Sequence, residues 1–374
     1  MPDGWSAQTT LAGSYRTLAK VRSSERWIIP GLLMGGEALP MPRGFNLDEA
    51  MLSASVGHDA SYAFIKISQH ASEGGLELEH GFVGQRLGDA SVLEFGRMSS
   101  VMTPYNSPHS SQTPFSDSLL LYDAFWGRQY NDTGLRARAY LKDLGLEGGV
   151  EVWQGDSFPA ERKDAAKAAF DVYLRHSLRM DSLGWSFGLF HYQGEADTRK
   201  DERYSAEHNH GLDISTIPVY WFSGRTQVQG LHAALEWGER MRFGAEGEFQ
   251  FSRSEGDLRD ATRLSPLESQ ARGHWATVYF KTEMQLAAIR YERLRFENEL
   301  SGAAATALAT AANLIGEKDP YRISAAYNWQ WNPELKLRGE WLRDFTSGRK
   351  KDMGVVGFVW SYRISSDAPT VIQE

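Results

Sequence analysis

The sequence predicts an all-β chain: a transmembrane antiparallel up-and-down β-barrel of sixteen strands, or eighteen if two short segments also pair, with its third long connection folded into the lumen. Three observations predict it. Apolar and polar residues alternate with period two in segment after segment. Tight turns and longer loops join those segments alternately. No run of eighteen apolar residues is present to form a spanning helix, the nearest being the Ala/Thr-rich Gly302–Gly316.

Composition agrees with this reading. At 374 residues the chain is long enough for several domains, yet a single barrel over 1–374 accounts for the whole length. Mean hydropathy is −0.45, which by itself suggests a water-soluble protein. Barrel strands show only every second residue to lipid, so their average stays low inside a membrane. The 12 Trp, 15 Tyr and 18 Phe suit aromatic girdles, and the 36 Gly suit close strand approach. Without cysteine the chain has no disulfide, thiolate metal site or iron–sulfur cluster, which fits an envelope protein. A net charge of −8 argues against a nucleic-acid partner. Met1-Pro2-Asp3-Gly4 has neither a basic nor an apolar leader, so a mature form with an added Met is expected.

In chain order the expected strands are Trp5–Leu18, Phe45–Val56, Ser61–Gln69, Leu76–Arg86, Ser91–Met98, Thr133–Lys142, Leu146–Gln154 and Phe170–Met180. The second half gives Leu183–Tyr192, Thr226–Trp237, Arg240–Ser252, His274–Lys281, Leu286–Phe296, Tyr321–Trp331, Leu335–Phe345 and Met353–Arg363. Thr216–Phe222 and Leu119–Phe125 would raise the count to eighteen. Between strands lie a polar loop near Gln193–Arg225, an acidic loop Arg253–Arg272 and a possible helical turn at Glu161–Ala169. Residues 1–25 hold the first strand and its connection, and 365–374 form a tail. An even count puts both termini at the turn end, the periplasmic side of an outer-membrane barrel.

The charged face of each strand is expected to line the lumen, because Arg or Lys at a bilayer midplane costs roughly 2–4 kcal/mol. That face supplies Arg136, Arg138, Lys142, Arg175, Arg179, Arg242, Arg322 and Arg338, opposite apolar partners such as Leu135, Val172 and Trp341. Acids such as Glu147 and Glu151 balance these bases, so no strong ion preference follows.

The connection Ser99–Tyr130 is long and polar, with three prolines, yet its second half carries Leu119, Leu120, Leu121, Phe125 and Trp126. Such a loop needs a surface to pack on, and the inner wall provides one. Folded inward, it would present Tyr105, His109, Asp117 and Asp123 to a passing solute. Its acids would face the bases of Arg136, Arg138 and Lys142 across a constriction, where fixed charges set selectivity. His109 could also bind or gate by protonation.

Other motifs offer less chemistry. Glu207-His208-Asn209-His210 with Asp213 supplies ligand types for zinc or copper, making His208 and His210 candidate metal ligands, although an ordinary polar loop has the same composition. No Ser/His/acid set converges by strand register, and His176 falls on the lipid-facing register beside Leu174 and Leu178, so no enzyme activity and no cofactor are expected. A plugged or docking barrel is the alternative, with Gly302–Gly316 or the first twenty-five residues as plug.

At Phe45–Arg97 the segments FNLDEAMLSASVG, ASYAFIKISQH, GLELEHGFVGQRL and SVLEFGR resemble outer-membrane porins, especially the phosphate-selective porin group. The resemblance covers about the first 150 residues by motif and the rest by architecture. It implies a sixteen-stranded, often trimeric pore with an infolded third loop. The arginine-rich constriction and basic ladder of that group are absent, so phosphate selectivity does not carry over. The chain also lacks a terminal aromatic, although Phe358, Trp360 and Tyr362 close the last strand. The expected function is a passive diffusion channel of the Gram-negative outer membrane for small polar or charged solutes. Its partners would be the lipid bilayer, those solutes and further copies of the chain in a homotrimer.

Overall fold

A computed structural model describes residues 4–17, 29–35, 38, 43–70, 75–161, 168–201, 219–315, 319–346 and 350–365. Sixteen strands form its wall: β1 (Gly4–Arg16), β2 (Gly44–His58), β3 (Ser61–His70), β4 (Glu77–Leu87), β5 (Ser91–Ser99), β6 (Asn131–Leu141), β7 (Leu146–Trp153) and β8 (Ala169–Met180). They continue as β9 (Leu183–Lys200), β10 (Trp221–Trp237), β11 (Arg242–Arg259), β12 (Leu264–Lys281), β13 (Gln285–Leu300), β14 (Tyr321–Gln330), β15 (Leu335–Asp344) and β16 (Lys351–Ser365). Each is antiparallel to its neighbours in sequence, and β1 pairs with both β2 and β16, which closes the barrel. Closure satisfies every strand edge, a requirement for backbone in lipid.

The eighteen-strand alternative is corrected. Leu119–Phe125 carries a short helix, α1 (Leu120–Phe125), whose side chains are all buried: a short continuous apolar run reads alike for a buried strand and a buried helix. In Thr216–Phe222, only residues 219–222 are described, and Trp221 opens β10. No helix among the described residues is long and apolar enough to cross a membrane.

The first described residue, Gly4, and the last, Ser365, lie at the end of the barrel that carries the tight turns. Five of those turns hold a residue at positive φ: Asp59 (51°), Gly88 (71°), Gly145 (59°), Asp181 (43°) and Gly238 (114°). Such turns match the right-handed twist of the strands they join.

The wall is uneven in height. Strands β3 to β8 have 8–12 residues, whereas β9 to β13 have 16–18. The extra length forms a crown at the loop end, and there the sense of the alternation inverts. On β12 the outward positions run Phe280, Val278, Ala276 and then His274, Arg272, Gln270, Glu268, while inward Ala271 and Leu267 are buried. On β13 outward Ala287, Ile289 and Tyr291 give way to Arg293, Arg295, Glu297 and Glu299, and inward Leu294 is buried. The lower part is built for lipid outside and the upper part for water outside.

The inverted crown encloses its own apolar core. Phe222, Leu258 and Leu267 from the wall pack with Leu33, Tyr220 and Leu314 from connections and with Leu308 of the helix α2 (Ala305–Ala311). The Ala-rich segment expected as a plug thus lies against the inside of β12 and β13. The first strand is part of the wall, not a plug. The expected loop Arg253–Arg272 shrinks to the turn Asp260–Arg263, because β11 and β12 extend to meet it, and β9 and β10 likewise claim both ends of the expected Gln193–Arg225 loop. His208 and His210 lie outside the described residues, as do 366–374 of the tail and 162–167 of the Glu161–Ala169 segment.

Candidate pore constriction

The connection between β5 and β6 folds into the lumen, stapled at its base by Asn106. The Asn106 amide donates to the carbonyls of Ser100 (2.8 Å) and Tyr130 (2.9 Å), and its side-chain oxygen accepts the Tyr130 N–H (2.8 Å). One buried side chain therefore satisfies backbone groups of both limbs. Below it, Ser100 reaches Glu151 and Asp171 on the wall, and Trp153 Nε1 donates to Asp171 at 2.8 Å.

The outgoing limb crosses to β2 and β4. Tyr105 sets its ring edge-on to Trp275, centroids 4.6 Å apart, and donates to Glu246 at 3.3 Å. His109 sits between Glu79 (2.9 Å from Nε2) and Glu49 (3.5 Å from Nδ1), with Lys66 3.9 Å from Glu79. Two β-bulges make this clamp. On β2 the pairing with β1 jumps from Leu47↔Gly13 to Glu49↔Ala12, and on β4 the pairing with β3 jumps from Leu78↔Ile67 to His80↔Lys66. Each bulge lets two successive residues, Asp48-Glu49 and Glu79-His80, be buried on the lumen side, which strict alternation forbids. Burial and Lys66 both favour neutral His109, but hydrogen bonds to Glu49 and Glu79 outweigh them and push its pKa up to about 9. Ser111 then donates to Glu49 (2.7 Å), while Arg338 and Lys336 donate to the carbonyls of Ser110 (2.9 Å) and Ser111 (2.7 Å).

The returning limb follows the wall from β15 back to β9. Ser116 offers its N–H to Glu340 (3.0 Å) and receives Arg16 (3.0 Å), which also pairs with Asp117 at 2.6 Å. Burial alone would raise the Asp117 pKa; Arg16 and Arg322 outweigh it and hold the carboxyl below its ordinary value. Arg290 lies over the Phe115 ring at 4.3 Å. Glu292 joins loop to wall: it accepts the Leu120 N–H (2.7 Å) at the start of α1 and pairs with Arg322 (2.7 Å) and Arg290 (3.2 Å). Leu121 packs against Gly273, where any Cβ would stand 2.1 Å from a Leu121 methyl. Tyr122 donates to Glu248 (2.9 Å) and Trp126 to Gln250 (2.9 Å).

Glu292→Gln keeps the shape of this junction but leaves two buried guanidinium groups without their carboxylate. It is expected to destabilise the barrel by ~3–5 kcal/mol, read as a lower urea midpoint for the protein folded in detergent micelles. A change below ~1 kcal/mol would show that the junction contributes little.

Of the expected constriction residues, Tyr105, His109 and Asp117 border a cavity of about 60 Å³ between the two limbs. Asp123 does not. It is 3% exposed and hydrogen-bonded to Ser118 at 2.5 Å, because α1 turns it under the loop, and burial pushes its pKa up to about 6 against the pull of Arg322 and Ser118. Of the expected wall bases, Arg136, Arg138, Arg175, Arg179, Arg242, Arg322 and Arg338 lie on inward registers, each paired there with an acid. Lys142 does not: it is exposed in a 3-10 turn (Lys142–Leu144) at the turn end, where the strand pattern had already run out. Nor does an acidic loop face Arg136 and Arg138. Those bases are held by Glu94 at 2.6 and 3.2 Å, and Asp117 faces Arg16 instead. Arg290 and Glu292 lay on the charged register and could have been found by alternation; Glu49 and Glu79, placed by bulges, could not.

Beside the loop tip a chamber of about 620 Å³ opens along β1–β3 and β14–β16, lined by Gln8, Ser53, Lys66, Gln112, Lys336 and Arg363 among others.

A closed sixteen-strand antiparallel barrel with a long connection folded inside is the fold of outer-membrane porins, and comparison with solved structures agrees. Salmonella typhi OmpF in complex with daunomycin aligns over 96% of this chain and 97% of its own, at 9% identity and a TM-score of 0.56. Pseudomonas putida OprB at high pH aligns over 97% and 94%, at 12% identity and 0.55. A loop L8 deletion mutant of OmpT, an outer membrane protein of Vibrio cholerae, aligns over 96% and 99%, at 11% identity and 0.54. No family model and no curated protein matches the sequence.

Proposed function

We propose that this protein is a passive diffusion channel of the outer membrane, with its termini in the periplasm and assembled as a homotrimer. One observation carries the reading: the 620 Å³ polar chamber that opens beside the tip of the infolded loop. Small solutes would cross between that tip and the wall of β1–β3 and β14–β16, filtered by width and by fixed charge. Tyr105, His109 and Asp117 belong to the loop that sets the width. The chamber's ionisable residues are three bases, Lys66, Lys336 and Arg363, and one acid, Glu334, so a modest preference for anions is expected.

Planar-bilayer recording in a salt gradient tests this. The reversal potential should have the sign of anion preference, and Lys336→Gln with Arg363→Gln should move it toward zero. A cation-selective channel would overturn the selectivity, and silence across conditions would overturn the channel. Silence favours the second reading, a plugged or docking barrel. That reading draws on the loop's attachments to β2, β11, β13, β14 and β15 and on the small gap between its limbs.

A further inference from the structure

Opposite charges sit together on most of the crown's outward face. Arg225 stands across from Glu195 and Glu255 and lies 3.5 Å from Glu195, and Arg253 reaches Glu268 at 3.0 Å. Between β12 and β13 like charges stand opposite each other, Glu268 across from Glu299 at the top and bases below. Arg272 is directly opposite Arg295, and His274, the next outward residue, is directly opposite Arg293. Like charges placed directly across two strands repel, and an anion between or above them relieves that repulsion. Part of that need is met within the chain, since Arg293 holds Asp319 (2.6 Å) and Arg295 lies 3.5 Å from Glu297. Arg272 makes no ion pair among the described residues.

The height of the cluster is as informative as its charge. It occupies the first polar rungs above the apolar band: Ala276, Val278, Ala287 and Ile289 lie below it, with Tyr291 at the boundary and Tyr321 opposite Arg293. Tyr321 stacks on Phe345, centroids 4.2 Å apart, as part of an aromatic girdle at this level. A ligand that met both halves would put negative charge at Arg272 and Arg295 and hydrocarbon along Ile289 and Val278.

We propose that this face binds a phosphate-bearing lipid of the leaflet at the loop end, with a headgroup phosphate between Arg272 and Arg295 and acyl chains on the apolar rungs beneath. The guanidinium fork suits phosphate, and a barrel wall leaves it free to face the headgroup layer. The inference rests on the proposed outer-membrane setting but not on conduction.

The test uses the full chain in detergent, titrated with bis-phosphorylated lipid A and followed by native mass spectrometry. Arg272→Gln with Arg295→Gln should weaken retention roughly tenfold to thirtyfold, from about 1 kcal/mol per basic residue at a charged lipid surface. Arg225→Gln with Arg253→Gln removes the same charge from the paired part of the crown and should leave retention unchanged. Dephosphorylated lipid A with the same chains should bind like the weakened variant, and inorganic phosphate should not compete. Equal retention by the two double variants, equal binding of dephosphorylated lipid, or displacement by inorganic phosphate would each overturn the assignment. Heat-modifiable gel migration checks that every variant is folded. A barrel that binds lipid A but passes no current would leave this inference standing and remove only the channel.

Discussion

Conductance of the wild-type protein should stay level from neutral pH to about 8 and then rise, with greater noise, between about pH 8 and 10 as His109 loses its proton. The sign follows from the clamp. His109 has a higher pKa in the folded protein than its unfolded value near 6.5, so its contribution is complete below that value and disappears as pH rises through about 9. Above that point the imidazole no longer bridges Glu49 and Glu79 as a cation, and the bases near them are Lys66 beside Glu79 and Lys336 and Arg338 near Glu49. The loop tip should then move more freely over the chamber. His109→Gln can still hydrogen-bond but has no proton to lose, so its profile should be flat through the alkaline range. A step that persists in His109→Gln would locate the transition elsewhere; a flat wild-type profile would mean that the tip does not govern current.

Removing Ser107–Phe115 should raise conductance severalfold. The deletion takes away His109 and the Ser110-Ser111 corner that borders the chamber, and spares Asn106, which holds the base together, and α1 with its ties to Glu292, Glu248 and Gln250. The barrel should therefore fold, as heat-modifiable migration would report, while the narrowest part widens. Unchanged conductance in a folded variant would show that solutes do not pass the loop tip.

The strand number, the closure and the inward course of the third connection were all legible in the sequence, because each depends on a pattern repeated over many residues. The errors share a cause. Along the lower rungs apolar residues face outward, and above that band the sense inverts. Arg253, Glu255 and Asp257 therefore read as an acidic loop although they occupy the outward rungs of β11. Within the site, charges on regular strands were readable, as at Arg322 and Arg338. Partners were not. Nothing local in Glu49 or Glu79 announces a bulge, and nothing in Asp117 points to Arg16, which lies 101 positions away in sequence and comes near only when the barrel closes.

The crown has a consequence for the surrounding lipid. On β14 the outward apolar positions run from Tyr321 to Ile323, Ala325, Tyr327 and Trp329, whereas on β13 they are only Ala287, Ile289 and Tyr291. At about 3.4 Å per residue, the first row is roughly 27 Å along the strand and the second roughly 14 Å. A bilayer of uniform thickness cannot match both. Acyl chains beside β12 and β13 have to shorten or tilt relative to those beside β14, a local mismatch that costs a fraction of a kcal/mol per Å. In the proposed outer-membrane setting, the bilayer around this barrel would thus be thinner on one side than on the other.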